Sequence, residues 1–351
     1  MNQSRKTLVI LIPGFPKDEQ DSTCVPFPQS FVKNLHELYP WLKIIVLAFQ
    51  YPFSKGVYDW HGVEVHAFNG GNRGKIKRLL LWKSVWGTLS RIIEKEPVIG
   101  ILNFWLGECA LVGKFAANRK KIRSFTWIMG QDAKKGNRYI PIIKPQADSL
   151  IALSDFLSEE FYTNYQTRPE YIIPPGLDTS LFPATSGERD IDILGAGSLI
   201  PLKQYDLFIN LISHLHKSRP AIRAVLCGDG PERSKLEQII RENNLKDQVS
   251  LTGELEHGKV LGLMQRTKIF LHPSSYEGFG MVCAEALYAG AKVVSFCKPM
   301  ISGFRHQYVV TSASEMEMKV QELLAIEDIS PERVLTFPME ECCKQVLSLY
   351  S

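Results

Sequence analysis

The stretch Lys268–Gly303, KIFLHPSSYEGFGMVCAEALYAGAKVVSFCKPMISG, decides how the chain folds. Lys268–Leu271 is a short apolar run, and His272–Gly280 is rich in Pro, Ser and Gly. Met281–Ala289 is helix-compatible, and Gly290 is a natural stop just past a helix end. Lys292–Phe296 is Val-rich enough for a buried parallel strand. The pattern predicts strand, loop, helix, strand. Two carboxylates bracket the turn: Glu277 in the loop, and Glu285 about four residues into the helix, roughly 6 Å along its axis. The N–H groups of Gly280, Met281 and Val282 point out of the helix start, which makes them an anion site. Gly278 and Gly280 have no Cβ, so a ligand can approach the backbone.

This constellation suits a nucleotide sugar. One carboxylate accepts from sugar hydroxyls, the helix N–H groups meet phosphate, and the second carboxylate takes the ribose diol. The plain alternative is a surface turn with two solvated glutamates and a capped helix. The segment HPSSYEGFGMVCAEALYAGAKVV resembles the signature of family 4 retaining glycosyltransferases, whose pattern is S-x-x-E-G-F-G, then E-A and G-x-P-V-V. Lys292 stands where that family usually has Pro. The resemblance implies an α/β chain of two doubly wound, Rossmann-like domains facing a cleft (GT-B).

At 351 residues the chain is comfortable for two cores of about 100–200 residues each. Hydrophobic content of 45% and charged content of 22% exclude disordered and collagen-like classes. A net charge of +4 gives no reason to expect a nucleic-acid partner. Seven cysteines, odd in number and scattered, point to a reducing, cytoplasmic setting rather than a disulfide framework. No signal peptide is expected, because Thr7–Ile12 is too short an apolar core, and no run reaches the roughly 18 residues of a membrane span.

Thr7–Ile12 reads as a first buried strand, breaking at Pro13-Gly14-Phe15-Pro16 into a polar loop before a helix from Gln29 to Leu38. Such a loop at the carboxyl edge of a sheet is where doubly wound folds place ligands. By resemblance Gly14 faces the donor phosphates. Asn72–Lys83, NRGKIKRLLLWK, is basic and runs into a Leu-Leu-Leu-Trp patch. It suits an anionic membrane face, contacted weakly through Arg73–Lys83, or else a solvated helix start followed by its core face. Asn103, Trp105 and Asp132 come at strand ends, as candidate acceptor-side residues. Two departures from the family fall here: Leu102-Asn103-Phe104 lacks the usual His, and Met129-Gly130-Gln131-Asp132 replaces H-G-x-D.

Tyr171–Arg189, with Pro174-Pro175-Gly176, Pro183 and a polar tail, interrupts both periods as a linker does. The expected division is 1–176, an acceptor-side domain; 177–330, a donor-binding domain; and 331–351, a terminal helix crossing back onto the first. Gly195-Ala196-Gly197 lacks the third Gly of a dinucleotide fingerprint, and no acidic residue ends the next strand at Cys227. The loop GAGSLIPLK instead resembles the family's G-R-L-x-x-x-K. That assigns Gly197 and Ser198 to donor binding, and makes Lys203 the cation for the leaving diphosphate. Ser198 stands at the family's Arg, so Arg266 or Lys17 becomes a candidate for the missing charge. Gly253-Glu254-Leu255 resembles the loop beside the nucleobase.

The resemblance therefore implies a cytoplasmic retaining glycosyltransferase, working at the inner face of the membrane in cell-surface polysaccharide or glycolipid synthesis. Its donor is a nucleoside diphosphate-sugar and its acceptor a saccharide or a lipid-linked one. Catalytic roles fall on Lys203 and Glu277, and donor binding adds Gly280, Met281, Val282 and Glu285. No cofactor is expected. No Asp-x-Asp lies at a strand end and no His/Cys cluster has ligand spacing, so metal independence is expected. A nucleotide-sugar epimerase of the same fold and a non-catalytic sugar-nucleotide-binding subunit are the alternatives.

Overall fold

The apolar run at the N-terminus becomes strand β1 (Lys6–Gly14), whose residues Thr7–Leu11 are buried on both faces. A strand this continuously apolar is stable only where helices cover both sides of a parallel sheet. The computed structural model describes residues 5–74, 76–184, 188–326 and 331–351. It contains two units, Met1–Gly176 with Met339–Ser351, and Leu177–Pro338. Within the expected linker residues 185–187, within the basic stretch Lys75, and at the expected domain end residues 327–330 lie outside the described residues.

In the first unit β1 is followed by α1 (Pro26–Leu38), β2 (Leu42–Tyr51), β3 (Lys55–Trp60), β4 (Val63–Phe68), α2 (Ile76–Lys95) and β5 (Val98–Phe104). Then come α3 (Glu108–Lys120), β6 (Arg123–Ile128), α4 (Ile140–Ile143), β7 (Leu150–Ala152), α5 (Asp155–Tyr165) and β8 (Tyr171–Ile172). The sheet order is β3-β4-β2-β1-β5-β6-β7-β8. Ile10 of β1 stands opposite Val46 on one side and Leu102 on the other, both in parallel register. Strand order therefore reverses between β1 and β5, and Gly14 and Trp105 come at the carboxyl ends beside that reversal.

The strand–helix alternation read from the sequence omits one feature. β3 and β4 form an antiparallel hairpin that turns at His61 and Gly62, both with positive φ. Its signal is the period-two burial of Val63-Glu-Val-His-Ala-Phe after a His-Gly turn. The expected linker also begins earlier than needed, since Tyr171–Ile172 pairs with β7.

The second unit runs β9 (Ile191–Ala196), α6 (Tyr205–His216), β10 (Ala224–Cys227), α7 (Arg233–Glu242), β11 (Val249–Gly253) and α8 (His257–Gln265). It continues with β12 (Thr267–His272), α9 (Met281–Tyr288), β13 (Lys292–Ser295), β14 (Gln307–Val309) and α10 (Ala313–Leu324). Its six strands are parallel in the order β11-β10-β9-β12-β13-β14. Ile193 lies between Ala224 and Ile269, so the order reverses between β9 and β12. Two apolar layers cover the sheet, one built on Phe208, Ile212, Leu226 and Val320, the other on Leu194, Phe270, Leu287 and Val293. Each fully buried Phe or Leu in them contributes about 1.5–3 kcal/mol.

Residues 331–338 remain with the second unit, where Leu177 N–H donates to Phe337 O at 2.8 Å and Val334 N–H to Leu287 O at 3.1 Å. The chain then enters the first unit as α11 (Met339–Ser348). Tyr350 hydroxyl donates to Ile101 O at 2.9 Å, and its ring fills the space where a Cβ on Gly100 would lie.

Candidate functional site

The second unit places its chemistry at the carboxyl ends of β9 and β12, on either side of the strand-order reversal. Open α/β sheets bind ligands at such points, because the loops there diverge and leave a crevice. Three loops leaving this edge are tied backbone to backbone. Gly197 N–H donates to Cys227 O, Leu199 N–H to Asp229 O and Gly228 N–H to Gly253 O, each at 2.9 Å. The approach is close enough that a Cβ on Gly228 would lie 1.9 Å from Gly197 O. Gly197 and Ser198 thus sit on a fixed loop, Ser198 exposed.

Lys203 ends the single turn Pro201–Lys203 between β9 and α6. Ser275 N–H donates to Leu202 O at 3.0 Å, strapping this turn to the loop after β12. That strap brings together residues 74 positions apart: Lys203 Nζ and Glu277 Oε1 form an ion pair with only 16% and 15% of their side chains exposed. His272, the last residue of β12, is fully buried and places Nε2 2.8 Å from the same oxygen. Burial pushes the Glu277 carboxyl up, but the hydrogen bond and charge of His272, with Lys203 beside it, win and hold it at about 2. Burial pulls the His272 ring below its ordinary value, only partly offset by Glu277. An ionised carboxylate only accepts, so the ring carries a proton on Nε2.

Gly280 caps α9 with φ 80°, a left-handed conformation that favours glycine. Space is not the reason, since a Cβ there would make only ordinary contacts, one of them with Glu277 Cγ at 3.7 Å. The contact nonetheless locates Glu277 against the start of the helix, next to Met281 and Val282. Glu285 lies one turn further along α9, 9% exposed, and its Oε1 is 2.8 Å from His257 Nε2 at the start of α8. Burial lowers the His257 pKa, but the hydrogen bond and charge of Glu285 outweigh it and the net shift is upward. Gly253-Glu254-Leu255 is the link from β11 to His257. Together these loops present an ammonium, a strongly ionised carboxylate, a helix start and a second carboxylate held by imidazole. Such a set can bind phosphate and polyol at once.

Arg266 does not join this set. It pairs with Asp190 through Nε at 2.8 Å and Nη2 at 2.5 Å, at the amino end of β9, the opposite edge of the sheet. It cannot replace the charge missing at Ser198. Lys17 belongs to the first unit, in a loop where its N–H donates to Asp21 Oδ2 at 3.3 Å. Among the described residues no group of three or more His, Cys, Asp and Glu could hold a metal ion.

In the first unit the candidate acceptor-side residues separate. Asn103 is fully buried, and its Nδ2 donates to Phe125 O at 2.8 Å and Ser124 Oγ at 3.0 Å. Asp132 is also buried, accepting from the N–H groups of Leu106 at 2.7 Å, Gly130 at 2.8 Å and Met129 at 3.1 Å. Both side chains fasten backbone, so neither presents a polar atom to a ligand. Trp105 is half-buried with φ 65° at the end of β5, and Gly14 ends β1 next to Tyr51. These two remain at the carboxyl edge of the sheet.

The sequence alone does not single out His272 or His257. His272 stands at the head of the motif, at the strand end, and that position was its signal. His257 lies 28 residues from Glu285, and no local pattern links them.

Residues 179–323 match the family model of the glycosyl transferases group 1. The phosphatidylinositol N-acetylglucosaminyltransferase gpi3 subunit of Schizosaccharomyces pombe is 35% identical over 127 residues, 35% of this chain and 28% of that one. The UDP-N-acetylglucosamine–peptide N-acetylglucosaminyltransferase GtfA subunit of Streptococcus pneumoniae is 26% identical over 168 residues, 46% of this chain and 33% of that one. The chain spans about a third of the length of these curated relatives. Anabaena HepE, solved in complex with UDP and glucose, superposes with a TM-score of 0.70 at 17% identity, covering 99% of both chains. That is a likeness of fold, and it places the two sheets in the GT-B class. Residues 179–323 thus resemble the glycosyl transferases group 1 in sequence, and the chain as a whole shares the GT-B fold.

Proposed function

We propose that the protein is a retaining glycosyltransferase, moving a sugar from a nucleoside diphosphate-sugar to an acceptor hydroxyl. The observation that carries this reading is the Lys203–Glu277–His272 cluster, beside the start of α9 and within the matched segment. In the proposed reaction the bond from the sugar's anomeric carbon to the diphosphate oxygen breaks. The acceptor oxygen bonds to that carbon from the departing side, and its proton passes to the leaving phosphate. Lys203 Nζ and the N–H groups of Gly280, Met281 and Val282 offset the charge that builds on the diphosphate. Among the described residues Lys203 and His272 both meet Glu277 at Oε1, and in the proposal Oε2 accepts from a sugar hydroxyl. Glu285, steadied by His257, takes the ribose hydroxyls.

UDP-N-acetylglucosamine is the first donor to test, because the names of both curated relatives include N-acetylglucosamine transfer. A saccharide or lipid-linked acceptor and a cytoplasmic setting complete the proposal. No divalent cation is required, and turnover should survive chelation by EDTA. The one Asp-x-Asp, Asp190-Ile191-Asp192, opens β9 rather than lying at a strand's carboxyl end, and it is spent on Arg266 and Lys268. A second reading, a non-catalytic partner subunit, is favoured by Ser198 in place of Arg and by relatives named as subunits. The experiment is release of nucleoside diphosphate from a panel of donors, with product configuration read by NMR. Turnover with retained configuration supports transfer, whereas donor binding without turnover makes the protein a subunit. Neither binding nor turnover with any donor overturns both.

A further inference from the structure

The amino-terminal half of α2 turns apolar side chains in two directions. Leu81, Val85, Leu89 and Ile92 form its buried face, at the spacing of one helical stripe. Ile76, Leu79 and Leu80 form a second stripe, at i, i+3 and i+4, and are 73%, 60% and 61% exposed. Single exposed apolar side chains are ordinary on a soluble surface, but three neighbouring ones on one helix face mark an interaction site. The stripe is held outward by the packing beneath it. Trp82, on the inner side, donates from Nε1 to Glu108 Oε2 at 2.7 Å, which fixes the roll of the helix about its axis.

The sequence flanking the stripe carries positive charge alone. From Asn72 to Lys83 the sequence has five basic residues and no acidic one, and Arg73, Lys77 and Lys83 are exposed. Among the described residues no helix is long and apolar enough to cross a membrane. An exposed apolar stripe with basic flanks and no acidic neighbour in sequence is complementary to lipid tails beneath anionic headgroups. We propose that this end of α2 docks the protein on an anionic lipid surface, with Ile76, Leu79 and Leu80 entering the headgroup boundary and Arg73, Lys77 and Lys83 at the phosphates. The inference needs no sugar donor and stands apart from the transfer reading.

The test is sedimentation of the full chain with vesicles of phosphatidylcholine alone, or with an equal part of phosphatidylglycerol. Binding is expected to the anionic vesicles, falling as salt rises, with little to the neutral ones. Each basic residue near such a surface contributes about fivefold in affinity. Lys77→Glu with Lys83→Glu should therefore weaken binding by more than about tenfold, and Leu79→Ser with Leu80→Ser by at least as much. Both pairs lie on the surface, and an unchanged melting temperature confirms that each variant is folded. The proposal is overturned by no binding to anionic vesicles, by equal binding to neutral ones, or by binding that neither pair weakens. It is overturned too if the leucine pair turns a dimer into a monomer without affecting vesicles, since a second copy then covers the stripe.

Discussion

His272 Nε2 lies 2.8 Å from Glu277 Oε1, with the imidazole wholly buried and Lys203 on the same oxygen. A carboxylate at 15% exposure would ordinarily be costly to ionise, yet these two donors hold its pKa at about 2. In the proposed transfer His272 is therefore a positioning residue, acting on the sugar through Glu277. His272→Phe removes a charge-assisted hydrogen bond worth about 1.5–3 kcal/mol, so transfer should slow by roughly 10- to 100-fold. Nucleoside diphosphate binding should stay within about threefold of wild type. With one donor gone, the Glu277 pKa rises, and the acid limb of the pH–rate profile should move to higher pH. An unmoved limb would assign His272 to packing alone.

Lys203 meets its carboxylate partner on the diphosphate side of the proposed site, where negative charge localises as the donor breaks. Lys203→Ala should lower turnover by roughly 100- to 1,000-fold, the scale of losing one electrostatic donor at a developing charge. An effect within about threefold would move the role elsewhere. With Arg266 committed to Asp190, the proposed reading leaves the diphosphate at Ser198 short of one cation. Ser198→Arg should tighten nucleoside diphosphate binding, and unchanged affinity in the folded variant would count against that shortage.

Much of the second unit could be read from its sequence because its signals are local. A buried strand, a Gly-bearing loop and a helix follow one another within Lys268–Tyr288, and β12 and α9 form there. The same locality fails for side-chain direction. Asn103 and Asp132 come at strand ends, as ligand-facing residues do, but one points beneath the sheet and the other folds back onto three backbone N–H groups. Sequence position does not encode that choice, because it depends on which backbone donors the neighbouring loops leave open. Arg266 misleads similarly, since nothing local says that it sits at the amino end of the sheet with Asp190, 76 residues earlier. His257 and Glu285 meet only because α8 and α9 pack side by side.

That His257–Glu285 pair has a pH signature. Burial works against the charged imidazole, but Glu285 raises its pKa above the ordinary value of 6.5. A group whose pKa is raised on folding stabilises the fold below its unfolded pKa, and the stabilisation fades as pH rises through the folded value. His257→Leu should therefore lower the melting temperature most at about pH 5–6, with the pH-dependent part of the deficit gone by about pH 9. Thermal scans of both proteins across that range give the comparison. A deficit that stays constant with pH would mean that the histidine contributes packing and no charge.

Glu277 and Glu285 are held by different partners, and the difference predicts different roles. Glu285 is tied to the loop after β11 through His257, on the side proposed for the nucleoside, while Glu277 is tied to Lys203 and His272 beside the helix start. Glu285→Gln keeps the shape and weakens charge-assisted acceptors worth together about 1.5–3 kcal/mol. The loss should appear in affinity for the nucleoside diphosphate itself, whether or not a sugar is attached. Glu277→Gln should leave that affinity nearly intact and reduce transfer, since in the proposal Glu277 meets the sugar and not the nucleoside diphosphate. Calorimetry of both variants with the free diphosphate and with the intact donor separates the two. Equal losses for both ligands in both variants would refute the division of roles, and no loss in either would reduce the motif to a capped helix with two paired glutamates.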